Sequence, residues 1–111
     1  MDNSLKESLD HANKMKVFNN QLRLLKEKYL ERNIHFTVGH QFTIDLKLIN
    51  YCITLKNQNK IKDVIMLDDY DLPVRIADLE SFYTDILDLY QQNLNAYIVE
   101  YNKLVQDKGR I

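Results

Sequence analysis

Apolar residues recur every three or four positions through the first 32 residues of the chain. This period is typical of an amphipathic helix with one buried face, and it predicts a long helix over residues 4–32. Asn33 follows and can adopt the left-handed conformation that closes a helix. The predicted buried face consists of Leu5, Leu9, Ala12, Met15, Phe18, Leu22, Leu25 and Tyr29.

The period changes after this helix. Apolar and polar residues alternate from Ile34 to Val38, which predicts a strand, and Gly39 then predicts a turn. Thr43 is a suitable N-cap for a second helix over residues 44–57. Its apolar residues occupy almost the whole circumference of the helix, so we expect it to be the most buried helix.

A polar segment separates the second helix from a predicted hairpin. Residues 63–67 and 73–76 are apolar runs bounded by turn residues, which indicates two strands. Pro73 cannot donate to a ladder, so its strand should begin at an edge or with the N–H side free. Residues 34–76 are thus predicted to contain a hairpin, a helix and a second hairpin.

A second long helix is predicted over residues 78–108, with Asp78 and Glu80 in a first turn that favours negative charge. One face of this helix combines the apolar area of its tyrosine and leucine side chains with tyrosine hydroxyls, which need water or a hydrogen-bonding partner. It either packs on the first helix or docks on another chain. A helix of 30 residues spans about 45 Å, so we expect part of this face to meet another chain, such as a second copy. This tyrosine stripe consists of Tyr83, Leu87, Tyr90, Leu94, Tyr97, Tyr101 and Leu104.

Together these elements predict a helix-dominated α+β fold in one domain over residues 1–111. Two long antiparallel helices would pack with a short internal helix and a small two- or three-stranded antiparallel sheet. A chain of 111 residues suits one core rather than two. Its 45% hydrophobic and 28% charged residues are ordinary for a globular protein and exclude a disordered chain.

The sequence favours a cytoplasmic protein. No stretch approaches the roughly 20 apolar residues that span a bilayer. The N-terminal residues are polar and acidic, unlike a signal peptide. Cys52 is the only cysteine, which agrees with a reducing compartment, and its apolar neighbours indicate a core residue rather than a nucleophile.

Charge is unevenly distributed along the chain. Residues 1–62 contain 11 basic and 6 acidic residues, a net charge of +5, whereas residues 63–111 contain 4 and 10, a net charge of −6. This asymmetry suits a basic partner, an acidic partner or self-association through opposite faces. It also suits two oppositely charged helices packed together.

Three aspartates fall in the turn of the second hairpin, where Ca²⁺ or Mg²⁺ could bind between clustered carboxylates. Their spacing does not match an EF-hand loop, and aspartate is a favoured turn residue in any case. We therefore expect no metal here. This acidic turn consists of Asp68, Asp69 and Asp71.

No other group of residues has the spacing of a catalytic, metal or cofactor site. His11, His35 and His40 lack a third ligand at zinc spacing. Neither a nucleophile elbow nor a glycine-rich phosphate loop is present. Acidic residues interrupt the basic side chains of the first helix, and no nucleic-acid-binding motif accompanies them. We expect neither an enzyme nor a nucleic-acid-binding protein.

One family resemblance covers about residues 20–105. The stretch RNIHFTVGHQFTID, a helix, DVIMLDDYDLPVRIADLESF and a long helix follow each other in that order. This arrangement resembles a small domain near the C-termini of bacteriophage tail-fibre and tail-fibre-assembly proteins. Asn33 and Ala77 differ from that family's usual glycine and capping Ser/Thr, and its strand tryptophan is absent. The matching positions are Phe36, Gly39, Phe42, Asp45, Asp68, Asp69, Val74, Ile76 and Leu79.

The resemblance implies a non-enzymatic phage structural or tail-assembly protein that acts through protein–protein contacts. Such a protein would occur in the cytoplasm of an infected bacterium or in the virion. No catalytic residues are known for the family, so the resemblance assigns none here. The alternative is a small phage-encoded regulator or inhibitor that binds a host or viral protein through its acidic C-terminal half.

Overall fold

The computed structural model describes residues 3–109 as three helices and two separate two-stranded antiparallel sheets. The fold is 68% helical, which confirms the predicted helix-dominated α+β class. Residues 1, 2, 110 and 111 of the predicted domain lie outside the described range. In chain order the elements are α1 (Asn3–Arg32), β1 (Ile34–Thr37), β2 (His40–Thr43), α2 (Leu46–Asn57), β3 (Lys62–Leu67), β4 (Pro73–Asp78) and α3 (Leu79–Gly109).

The described chain forms two compact units. The helical unit contains residues 3–30 of α1 and residues 95–109 of α3. The mixed unit contains residues 31–94, with both hairpins, α2, the end of α1 and the first half of α3. Among the described helices, none has a stretch long and apolar enough to cross a membrane.

The core of the mixed unit lies between its helices and the inner faces of its hairpins. From α2 it takes Ile49, Cys52 and Leu55, whereas Leu46 and Tyr51 are exposed. The helix therefore buries one face only, and the expectation that apolar residues almost all round it would be buried is wrong. The other buried members are Phe42, Ile44, Met66, Val74, Ile76, Leu79, Phe82 and Ile86.

The start of α2 differs from the prediction. Asp45, with an extended backbone, is the N-cap, and its side chain accepts a hydrogen bond of 2.8 Å from the Leu48 amide. Thr43, the predicted cap, is instead the last residue of β2. Ile44 lies buried between strand and helix. The sequence HQFT was assigned to a turn and a cap because it is too short to show a clear alternation.

The end of α1 lies at the predicted residue, but Asn33 does not close it by a left-handed backbone. The left-handed residues of the described chain are Val38, Gly39, Asn59, Asp63 and Asp71. The buried Asn93 of α3 caps the helix instead. Its Nδ2 donates to the Arg32 carbonyl at 2.9 Å and to the Asn33 Oδ1 atom at 2.8 Å.

The second hairpin agrees closely with the prediction. Pro73 is the first residue of β4, opposite Leu67, so the missing N–H lies at the end of the ladder. Asp78 follows as the last residue of β4, and its Oδ1 atom accepts hydrogen bonds from the Glu80 and Ser81 amides at 3.1 and 3.3 Å. This places Asp78 at the cap of α3 rather than within its first turn.

Candidate interaction surfaces

The tyrosine stripe of α3 divides between the two units. In the mixed unit, Tyr83, Leu87 and Tyr90 are partly buried against the core cluster. The Lys56 ammonium lies 4.4 Å from the centre of the Tyr83 ring, which is a cation–π contact. Leu94 is also partly buried. This half of the stripe therefore has a structural role.

The most deeply buried residues of α3 form a ridge beside the tyrosine stripe and do not belong to the stripe itself. Leu79 and Ile86 are completely buried, and Phe82 lies edge-on to Phe42 with their ring centres 5.2 Å apart. These three residues repeat at spacings of three and four, one position ahead of Tyr83 and its successors. This ridge was not predicted, because large apolar side chains also occupy the neighbouring face.

The other half of the stripe belongs to the helical unit. The Tyr97 ring packs edge-on against Tyr29, with ring centres 4.6 Å apart at 75°. Lys28 and Glu100 form a salt bridge of 3.3 Å between the same two helices. Leu104 is partly buried, whereas Tyr101 is 39% exposed. Tyr101 is thus the tyrosine of the stripe most accessible to a partner.

The helical unit buries little of its apolar surface. Phe18 and Leu25 are the buried residues of α1, and the predicted face is covered from Met15 to Tyr29. Two open apolar grooves of about 310 and 400 Å³ run beside Leu104. The large apolar side chains that remain exposed in this unit are Leu5, Leu9, Val17, Leu24, Leu30, Ile98, Val99, Tyr101 and Val105.

The acidic turn is held by its own hydrogen bonds. The Asp68 side chain is buried, and its Oδ1 atom accepts hydrogen bonds from the Tyr70 and Leu72 amides at 2.8 and 2.9 Å. Its Oδ2 atom lies 2.7 Å from Nδ1 of His40. The Asp68 amide also donates to the Leu72 carbonyl at 2.9 Å, so residues 69–71 form a three-residue loop, and its last residue, Asp71, has the left-handed backbone usual for such loops.

Asp69 connects the same turn to the first hairpin through hydrogen bonds. Its Oδ1 atom accepts from the Thr43 amide at 2.8 Å, and its Oδ2 atom accepts from the Thr43 hydroxyl at 2.8 Å and from Gln41 at 3.0 Å. The Asp69 amide donates to the Gln41 carbonyl at 2.9 Å. The acidic turn therefore joins the two hairpins. The preference of aspartate for turns does not by itself predict this connection.

The three histidines lie apart and do not form a shared site. His35 pairs with Phe42 in the hairpin register and packs edge-on against Phe82, whereas His40 pairs with Thr37 and contacts Asp68. His11 lies exposed on α1. Within the described residues, no three His, Cys, Asp or Glu side chains are grouped so that they could hold a metal ion.

Cys52 is a core residue of α2. Its side chain is completely buried, and this desolvation raises the pKa of the thiol to about 11, against a smaller opposing influence from Lys56. A nucleophilic cysteine needs a stabilised thiolate. The environment of Cys52 stabilises the neutral thiol instead.

An open groove between α2 and β3 was not predicted. It comprises two cavities of about 570 and 460 Å³, both lined by Tyr51 and Ile65. The only sequence signal is that both faces of β3 are apolar, since Ile65 and Leu67 interleave with the inward-facing Val64 and Met66. A two-stranded sheet that covers one face leaves the other available for contact.

Comparison of the chain with protein-family models, with curated proteins and with solved structures finds no match.

Proposed function

We propose that this chain is a non-enzymatic bacteriophage structural or tail-assembly protein that acts through contacts with other protein chains, including its own copies. The observation that supports this role is the pair of open apolar grooves beside Leu104 in the helical unit, together with the large apolar side chains that this unit leaves exposed. Apolar surface that exceeds scattered single residues is typical of interaction sites. The phage assignment itself depends on the sequence resemblance over residues 20–105.

Self-association through the helical unit would cover this surface. Val17 and Leu24 of α1 lie seven residues apart and line successive grooves beside Leu104 of α3. A seven-residue apolar repeat is the spacing that helix–helix interfaces use. Helices of another copy that enter these grooves would complete a bundle, which is the simplest way to bury the exposed residues.

Three measurements test the proposed role, two on a phage and its infected cells and one on the isolated protein. A proteomic inventory of purified virions and a pull-down from infected cells should find the chain in particles or with tail-assembly proteins, and light scattering of the isolated protein should give a mass above that of a monomer. A monomer that is absent from particles and binds a single host protein would contradict the proposal.

That last outcome would support the regulatory alternative. Its structural basis is a set of exposed carboxylates on and beside the first three turns of α3, formed by Asp78, Glu80, Asp85 and Asp88. A basic surface on a host or viral protein would complement these charges. Charge reversal at Asp85 and Asp88 should then abolish capture of the host protein without changing the mass of the isolated chain.

A further inference from the structure

Helix α2 and strand β3 lie side by side in the mixed unit and leave a groove between them. One cavity follows the end of α2 and the start of β3, and the other follows the start of α2 and the end of β3. The two elements therefore run antiparallel along the groove. Tyr51 and Ile65 line both cavities, so the two cavities adjoin along the groove.

The strand side of the groove is an unpaired edge. Within the described residues β3 pairs with β4 alone, so one row of its backbone N–H and C=O groups has no strand opposite. Lysines commonly protect such edges, as Lys62 does at the start of β3. The next residue, Asp63, has a left-handed backbone and no partner in the register, so the ladder is also interrupted there. The following residues 64–67 lack this protection, and Ile65 and Leu67 are half exposed.

The two ends of the groove carry opposite net charge. The end beside the start of β3 is lined by Lys60 and Lys62 with one carboxylate, that of Asp63. Carboxylates predominate at the other end, where Lys47 is the only cation. The charged residues lining that second end are Asp45, Lys47, Asp68, Asp69 and Asp71.

We propose that this groove binds an extended segment of a partner protein as an added strand on β3. The segment is apolar in its middle, carries a cationic residue at its N-terminal end and carries a carboxylate at its C-terminal end. These charges fit the two ends of the groove only when the segment runs antiparallel to β3. Strand addition of this kind takes affinity from main-chain hydrogen bonds and specificity from side-chain pockets.

The length of the site follows from β3 (Lys62–Leu67), which has six residues. At about 3.3 Å per residue, a matching segment covers roughly 20 Å. Half of its side chains would point towards the side of the groove that Tyr51 lines. That ring is 46% exposed and would bury apolar area against the segment while its hydroxyl stays in water.

A single strand fits this groove better than a hairpin from a second copy. Because α2 follows the groove along both cavities, it limits the width beyond β3. If β3 of a second copy paired with β3 of this chain, the β4 strand of that copy would lie beyond it, in the place that α2 occupies. The groove is therefore separate from the self-association proposed for the helical unit, and the two share no residues.

Two fluorescein-labelled hexapeptides of identical composition test the proposal. Lys-Val-Thr-Val-Thr-Glu has the charges in the proposed order, and Glu-Val-Thr-Val-Thr-Lys has them reversed. Fluorescence anisotropy with the full chain at low ionic strength should show at least fivefold tighter binding of the first peptide. Lys60→Glu/Lys62→Glu should remove this preference, whereas the matched control Lys16→Glu/Lys26→Glu, in α1, should retain it.

Hydrogen exchange then locates the bound peptide. The first peptide should slow exchange of amides in residues 62–67 of the wild type, and it should do so less in the double variant at Lys60 and Lys62. Equal affinity for the two peptides, absence of binding at millimolar concentration or protection outside β3 would each overturn the proposal. A peptide-independent dimer that Lys60→Glu/Lys62→Glu dissociates would also overturn it, since the groove would then bind a second copy. Self-association through the helical unit would persist in that variant, which separates failure here from failure of the proposed function.

Discussion

The Nδ1 atom of His40 lies 2.7 Å from Oδ2 of Asp68, and this contact joins the strand of one hairpin to the turn of the other. An ionised carboxylate only accepts hydrogen bonds, so Nδ1 carries the proton. The hydrogen bond from His40 is the main cause that lowers the pKa of Asp68, and the amides of Leu72 and Tyr70 contribute in the same direction. Burial acts against them and raises it.

The lowered pKa of Asp68 makes stability depend on acid pH. Its contribution is fully present above the unfolded pKa of about 3.9 and is lost as the pH falls through the lower folded value. Asp68→Asn should therefore lower the urea midpoint at pH 7, and its difference from the wild type should shrink below about pH 4. The exposed Asp88→Asn is the control and should leave the urea midpoint at pH 7 close to that of the wild type. A difference for Asp68→Asn that stays constant down to pH 2 would contradict the role of the charge.

Thermal stability should not depend on metal ions. All four carboxylate oxygens of Asp68 and Asp69 already have donors, namely backbone amides or the side chains of His40, Gln41 and Thr43. A cation would have to displace these hydrogen bonds, and the turn would lose its attachment to β2. Melts recorded with EDTA, Ca²⁺ and Zn²⁺ should superimpose, and a rise of several degrees with either ion would refute this.

The sequence period predicted the long helices because each has an apolar face of helical spacing, and apolar runs bounded by turn residues predicted the second hairpin. The end of α1 and the start of α2 were harder to predict, since long-range contacts determine which residue acts as the cap. Asn33 marks the end of α1 in the sequence, but the donor that satisfies the last carbonyl is Asn93, which lies 61 residues beyond Arg32. Thr43 and Asp45 are both acceptable caps, and pairing in β2 decides between them.

The acidic turn shows a similar limit at a candidate site. Asp68 and Asp69 are predictable as turn residues, and the absence of EF-hand spacing argued against a metal. Their attachment to Gln41 and Thr43 needs two hairpins in contact, which no local pattern specifies. The groove beside β3 could not be predicted from the sequence for the same reason, since it depends on where α2 lies.

Truncation of the buried ridge of α3 should cost far more than truncation of the tyrosine stripe. Ile86 is completely buried, whereas its neighbour Leu87 is partly exposed. Ile86→Ala should lower the free energy of unfolding by about 2–5 kcal/mol, because it leaves a cavity in the core. Leu87→Ala should cost less than half as much. Urea denaturation measures both, and equal losses would mean that the stripe is core as well.

Self-association should depend on Tyr101 rather than on Tyr97. Tyr97 packs against Tyr29, so a charge there should destabilise the helical unit itself, whereas Tyr101 is 39% exposed. Tyr101→Glu should lower the mass measured by light scattering while circular dichroism stays unchanged. Tyr70→Glu, which changes an exposed tyrosine outside the helical unit, should leave the mass as in the wild type. A wild-type monomer, or an equal effect of both variants, would exclude this interface.

The turn of the first hairpin should become more stable when its most exposed apolar residue is replaced. Val38 and Gly39 form a two-residue loop between the paired Thr37 and His40, with φ values of 50° and 77°. Positive φ at both positions defines the type I′ turn, for which Asn-Gly is the preferred sequence. A β-branched residue is a genuine outlier in this conformation.

Replacement of Val38 by asparagine should therefore relieve strain without loss of packing. The Val38 side chain is 85% exposed, so it contributes little burial, while strained residues of this kind cost about 1–3 kcal/mol. Val38→Asn should raise the free energy of unfolding by about 1 kcal/mol, since it relieves part of that strain. Gly39→Ala is the matched control: an added Cβ would meet no atom within 4 Å, so its loss of about 1 kcal/mol would be conformational alone. If Val38→Asn destabilises the chain while Gly39→Ala behaves as expected, the valine makes a stabilising contact that its exposure does not show.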